Sequence, residues 1–225
     1  MYWMFQQTPE LLPEDQTLPG GKHPVLENPR PHTVLGTPIT GPWKEGQKSL
    51  IVGIGCFWGV EKIYWQMAGV ESTSVGYAGG VTPNPTYREV CTGRTNHTEV
   101  VEVVYDPAKV SLDELVKVAL ENHDPTQVNR QGNDVGTQYR SAIFTTGPDA
   151  EADKRRVREI VDAYAKELAG RGFGEVTTEV KTLAETPSGR YYLAEDYHQQ
   201  YLQKVPDGYC PHHSTGVACT IPAKA

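Results

Sequence analysis

The chain predicts an α+β fold, a two-layer α/β sandwich with a ferredoxin-like split βαβ core. Three observations carry that prediction. Apolar or alternating runs of strand length are separated by segments whose apolar residues recur at helical period. Their order is strand, helix, strand, strand, helix, strand. Both flanks lose periodicity, leaving an extended N-terminal segment and an irregular C-terminal tail.

Residues 1–48 hold eight of the seventeen prolines and show no apolar period, so they should run extended over the surface. Trp3, Phe5, Leu11, Leu12, Val34, Ile39 and Trp43 are the expected anchors of this segment. Residues 49–205 form the expected catalytic domain. The run from Leu50 to Ile54 is continuously apolar, as in a buried central strand. Val60, Ile63, Tyr64 and Met67 then recur at helical spacing up to Gly69. Residues 71–77 read as a second strand, followed by a long loop rich in Gly, Pro, Asn and Thr. Residues 99–105 alternate as a third. Ser111 and Glu114 have the spacing of a capping box, and Leu112, Leu115, Val116 and Ala119 give that helix its apolar face. Pro125 bars its continuation.

A fourth strand is expected over 139–145. The next helix, over 149–168, turns Val157, Ile160, Val161, Tyr164 and Leu168 inward, with Gly170 as its stop. A further strand is expected over 176–182 and a short last helix over 190–201. Residues 206–225 read as a mobile tail carrying Cys210 and Cys219.

Composition narrows the function. With 38 % hydrophobic and 22 % charged residues in 225, the chain fits an ordinary soluble globular protein. A net charge of −7 argues against a nucleic-acid partner. No stretch has the apolar length of a membrane span, and no secretion signal opens the chain, so a cytoplasmic location is the default expectation; a monomer is expected as well. In that compartment four cysteines point to catalysis or metal binding before structural disulfides.

Cys56 stands where the first apolar run breaks at Gly55 and a helical pattern begins. A helix start offers unpaired N–H groups and a positive dipole end, which favour thiolate. Phe57 and Trp58 follow at once and place apolar surface beside the sulfur. A buried, inert thiol at a tight turn is the competing reading. Glu99 shares its strand face with Val101, Val103 and Tyr105, since strand side chains alternate. Burial on that face would raise its pKa and keep it protonated near neutral pH; a solvated edge glutamate is the alternative.

Gly55-Cys56-Phe57-Trp58-Gly59 resembles the active-site signature of the A-type peptide methionine sulfoxide reductases. The resemblance continues through residues 76–80, 83–91, 97–99, 121–125, 131–143, 194–202 and 208–210, collinear from Leu50 to Cys219. It implies reduction of methionine S-sulfoxide, free or in proteins, as a repair reaction under oxidative stress. By the match, Cys56 is the nucleophile, Glu99 the acid, Tyr87, Asp134 and Tyr139 the groups around the sulfoxide oxygen, and Phe57 and Trp58 the wall for the methyl. Cys210 is then the first resolving cysteine and Cys219 the second, with a thioredoxin-like thiol donor as partner. No cofactor and no metal are implied.

Cys91, His97 and His198 are expected to be structural, Cys91 as a buried or inert thiol. The tail, Cys210-Pro211-His212-His213 through Cys219, admits two readings. Its thiols could exchange with Cys56, or its two cysteines and two histidines could bind zinc, although their spacing is not a common zinc arrangement. Exchange is favoured, because a sulfenic acid at Cys56 needs a thiol to resolve it. A different thiol enzyme and a zinc-stabilised binding module are the alternative functions.

Overall fold

The computed structural model describes residues 8–210 and 213–223. Trp3, Phe5 and His212 lie outside them. The first apolar run forms β1 (Lys48–Ile54) and the helical pattern after it forms α1 (Phe57–Trp65). The chain returns as β2 (Val70–Ala78), makes a one-turn helix α2 (Tyr87–Cys91), and crosses the sheet again as β3 (Thr98–Tyr105). Then come α3 (Leu112–Glu121), a two-residue hairpin of β4 (Arg130–Gln131) and β5 (Asp134–Val135), and β6 (Ser141–Thr145). The long helix α4 (Ala150–Ala169), β7 (Glu179–Thr182), β8 (Tyr192–Leu193) and the short α5 (Tyr201–Lys204) complete it.

The sheet order is β7-β6-β1-β3-β2-β8. Along β6, β1, β3 and β2 each strand is antiparallel to its neighbour, with Leu50 opposite Val103 and Tyr77 opposite Glu99. This is the expected split βαβ core, extended at one edge by the parallel strand β7 and at the other by β8. Leu50, Val52, Val75, Val101 and Val103 pack with Tyr64 of α1, Leu115 and Val116 of α3, and Ile160 and Tyr164 of α4. Full burial of each such side chain contributes about 1.5–3 kcal/mol, so α4, marked inward at the same five residues the spacing selects, is held by its buried stripe. The second face carries Ile51, Ala78, Val100, Ala142 and Phe144.

Four expectations differ. Residues 190–201 do not form a helix. Leu193 pairs with Gly76, and the Gln199 amide bonds both polar groups of Val75, so sheet-edge hydrogen bonds replace helical ones. Gln200 then takes a left-handed turn (φ 47°) before α5. Tyr139 sits in a 3₁₀ turn, Thr137–Tyr139, ahead of β6. In the N-terminal segment Ile39 is buried, but Leu11 and Val34 are exposed. The described part of the tail is docked rather than free: Val217 and Cys219 are buried, the Tyr164 hydroxyl donates to the Val217 carbonyl (2.9 Å), and the Cys219 amide donates to Glu121 (2.8 Å). Among the described residues, no helix is long and apolar enough to cross a membrane.

Candidate active site

Two adjacent strands place the thiol and the acid. β1 ends at Ile54, Gly55 turns the chain with φ +105°, and Cys56 becomes the N-cap of α1. That dihedral favours glycine. Beside it on β3, Glu99 points into the apolar face that the alternation predicts and is 1 % exposed. Gly53 allows the approach, since a β-carbon there would come within 3.0 Å of the Glu99 carbonyl oxygen. The Phe57 amide, first in the helix that Cys56 caps, donates to Glu99 Oε2 at 3.1 Å. Nucleophile and acid are thereby fixed to the same turn.

Burial pushes the Glu99 pKa up to about 8; the Phe57 amide opposes the shift and the Asp134 charge adds to it. The carboxyl is therefore largely protonated at neutral pH. Cys56 departs from expectation. Its thiol is raised well above the ordinary range, first by burial and then by the Glu99 charge, against the Trp58 amide, which lowers it. The helix start acts as supposed, but desolvation outweighs it. The resting pair is a thiol beside a carboxylic acid.

Tyr87 opens α2 and Tyr139 closes the 3₁₀ turn before β6. Burial raises both phenols, and the Glu99 charge acts on each, so both remain donors. Asp134, in the β4–β5 hairpin, accepts from the Tyr209 hydroxyl at 3.0 Å, while its Oδ2 is buried without a hydrogen-bond partner among the described residues. Phe57 is buried 5.2 Å from the His198 ring and 6.0 Å from Tyr77. Half-buried Trp58 stacks on Tyr201 at 4.1 Å and donates through Nε1 to His198 Nδ1 at 3.1 Å. Cys210 is near enough for its charge to act on Cys56. All four cysteines are thiols. Cys219 stands apart against α3 and α4, and its thiol is pushed up to about 11 by burial and by Glu167 and Glu121.

The family model for peptide methionine sulfoxide reductase matches residues 48–221. A peptide methionine sulfoxide reductase MsrA of Corynebacterium glutamicum (strain R) is 66 % identical over 99 % of this chain and 100 % of its own length. The corresponding protein of Brucella anthropi is 51 % identical over 97 % and 96 %. Among solved structures, methionine sulfoxide reductase A of Corynebacterium diphtheriae superposes with a TM-score of 0.87 at 64 % identity, over 96 % of this chain and all of that one. Reduced Mxr1 of Saccharomyces cerevisiae gives 0.66 at 35 % identity, over 75 % and 92 %.

The chain belongs to the peptide methionine sulfoxide reductase family. It is an oxidoreductase, a peptide methionine sulfoxide reductase.

Within this family member, Cys56, Glu99, Tyr87, Tyr139, Asp134, Phe57, Trp58 and Cys210 converge, and Cys219 does not join them. Cys91 is exposed rather than buried; the Tyr87 hydroxyl donates to its sulfur, and partial burial holds its pKa above the usual thiol value. His97 is structural as expected, accepting from the Gly80 amide and meeting the Thr82 carbonyl. His198 is not a fully satisfied structural residue. It lies among Phe57, Trp58, Tyr87 and Tyr197, and its Nε2, 4.0 Å from the Glu195 carboxylate, is buried without a hydrogen-bond partner among the described residues. The described zinc candidates do not gather, since His213 lines the cavity at Cys56 while Cys219 packs on α3 and α4.

Sequence reasoning missed Glu195, which accepts from the Tyr87 amide (2.8 Å) and the Tyr77 hydroxyl (3.0 Å). It also missed Gln131, whose buried side chain braces Gly55 and bonds the Asp124 backbone. No local pattern marks either. The Thr86-x-x-Glu89 spacing is a capping box that starts α2 at Tyr87, inside the stretch read as a long loop, and it is the signal that could have marked this helix.

Proposed function

We propose that the chain reduces the S epimer of methionine sulfoxide, free and in oxidised proteins, through a sulfenic acid at Cys56. The observation that carries this reading is the buried, protonated Glu99 held by the first amide of the helix that Cys56 caps. Phe57 and Trp58 receive the methyl; Tyr87, Tyr139 and the Glu99 carboxyl face the sulfoxide oxygen, and Asp134 orders the donors. Cys56 attacks the substrate sulfur as Glu99 protonates the oxygen. The proton released by the thiol restores the Glu99 carboxyl. Oxygen passes to Cys56, methionine is reduced by two electrons, and Cys56 is oxidised by two to the sulfenic acid.

Cys210 then attacks the Cys56 sulfur, forming a disulfide and releasing water. Cys219 attacks Cys210, returning Cys56 to the thiol and leaving a Cys210–Cys219 disulfide. A thioredoxin-like dithiol reduces that bond. Because Cys219 is docked in the thiol form, this exchange requires the tail to leave α3 and α4.

Methionine formation from the separated epimers, with dithiothreitol as reductant, tests the assignment. The S epimer should turn over and the R epimer should not, because the wall and the oxygen donors present only one hand of sulfur to Cys56. Cys56→Ser should abolish turnover. Equal rates on the two epimers, or multiple turnovers by the serine variant, would contradict the reading.

A further inference from the structure

Resolution of a sulfenic acid poses a proton problem that Cys56 and Cys210 do not solve between themselves. The attacking Cys210 must lose its proton, and hydroxide is a poor leaving group unless it receives one. The imidazole of His213 reaches the cavity at Cys56. Its ring, Cys56, Asp134, Gln131 and Asn122 line one cavity of about 10 Å³, room for about one water molecule. The ring enters because residue 132 is glycine; a β-carbon there would overlap it. His213 Nε2 is buried and has no hydrogen-bond partner among the described residues. An unpaired buried nitrogen is costly and asks for a reason. His213 follows Cys210 by three residues, and the bond from the Tyr209 hydroxyl to Asp134 ties this stretch to the site.

We propose that His213 is the proton-transfer residue of the resolving step, taking the proton of the Cys210 thiol and delivering it to the hydroxyl that leaves Cys56. The Cys56 S–O bond breaks, the Cys56–Cys210 S–S bond forms, and the two protons and the oxygen depart as water. The imidazole ends neutral, as it began. The inference rests on the reading of Cys210 as resolving cysteine and adds the group that makes its attack competent. Asp134 faces the same cavity, and its Oδ2 has no hydrogen-bond partner among the described residues.

The experiment is a rapid-quench single turnover in full-length Cys219→Ser protein with limiting methionine S-sulfoxide. Methionine is counted by chromatography and the Cys56–Cys210 disulfide by thiol alkylation and mass spectrometry. In His213→Ala the ratio of the resolving rate to the methionine-release rate should fall about a hundredfold, at the low end of general acid–base effects. Added imidazole should restore it at least tenfold. An unchanged ratio would overturn the proposal. So would a fall that imidazole does not relieve and that His213→Asn reverses, because a packing role behaves that way. If Cys219→Ser protein with His213 intact forms no Cys56–Cys210 disulfide, Cys210 itself is misassigned, and this is seen before any histidine variant is made.

Discussion

Glu99 sets a conflict between stability and chemistry within one side chain. Its carboxyl keeps a proton up to about pH 8 in the folded chain, against an ordinary value of 4.5. Between those values the native state binds more protons than the unfolded one, so this group's contribution makes stability fall as pH rises from about 4.5 through about 8. Glu99→Gln removes the buried ionisable group and leaves the amide oxygen to accept from Phe57. The variant should melt higher at pH 8, by of the order of 1–3 kcal/mol in chemical denaturation. It should also reduce sulfoxide roughly two to four orders of magnitude more slowly in a single turnover. The wild-type single-turnover rate should decline as pH rises through about 8, where the acid is lost, and the variant should lack that limb. A variant that is both fast and stable would remove Glu99 from the role of acid.

At the scale of elements, the tail is the part whose working requires it to move. Its docking rests on a few polar ties: Tyr164 to the Val217 carbonyl and to Thr215, the Cys219 amide to Glu121, and Arg156, which pairs with Asp113 and also meets the Pro222 carbonyl. Tyr164→Phe removes both of the hydroxyl's ties, to Val217 and Thr215, and keeps the ring in the core. It should raise the rate at which the disulfide moves from Cys56–Cys210 to Cys210–Cys219 several-fold, read by quenched thiol mapping, and lower stability by about 1 kcal/mol. A slower transfer would mean that the docked position guides Cys219 instead of withholding it.

The tail also shows where sequence legibility stops. The strands, α1, α3 and α4 were readable because each buries a periodic apolar face, and Glu99 was readable because it interrupts one. Cys219 was misplaced because its burial depends on the surface that α3 and α4 make together, elements far from it in the chain. Residues 190–201 failed for the same reason: Val75 takes the hydrogen bonds that a helix would have used. The raised Cys56 pKa was equally invisible, since desolvation is a property of the closed fold.

The whole molecule is closed by its N-terminal segment, and one buried network shows how. His32 Nδ1 accepts from the amides of Val34 and Leu35, and its Nε2 meets Thr73 Oγ1 at 2.9 Å. Thr73 donates onward to Glu61 of α1 at 3.1 Å, so Nε2 must carry the histidine proton. Glu61 also accepts from the amide and the side chain of Gln200, whose carbonyl oxygen accepts from Thr33. Residues 32–35, α1, β2 and the turn before Tyr201 therefore share one set of bonds, on the helix that begins at Cys56. Burial lowers His32 to about pH 4 and raises Glu61 to about pH 7, which keeps the network's histidine neutral. His32→Ala leaves two amides without their acceptor and Thr73 without its donor. The expected loss is about 2–3 kcal/mol in urea denaturation, on the scale of unmet buried hydrogen bonds. The same break frees the Gln200 turn that carries His198 and Tyr201 beside Trp58. KM for a sulfoxide peptide should therefore rise several-fold at a temperature where the variant is still folded, while kcat changes less. A stability loss with unchanged KM would confine the N-terminal segment to holding the fold; a rise in KM would extend its influence, through Glu61 and Gln200, to the aromatic wall of the site.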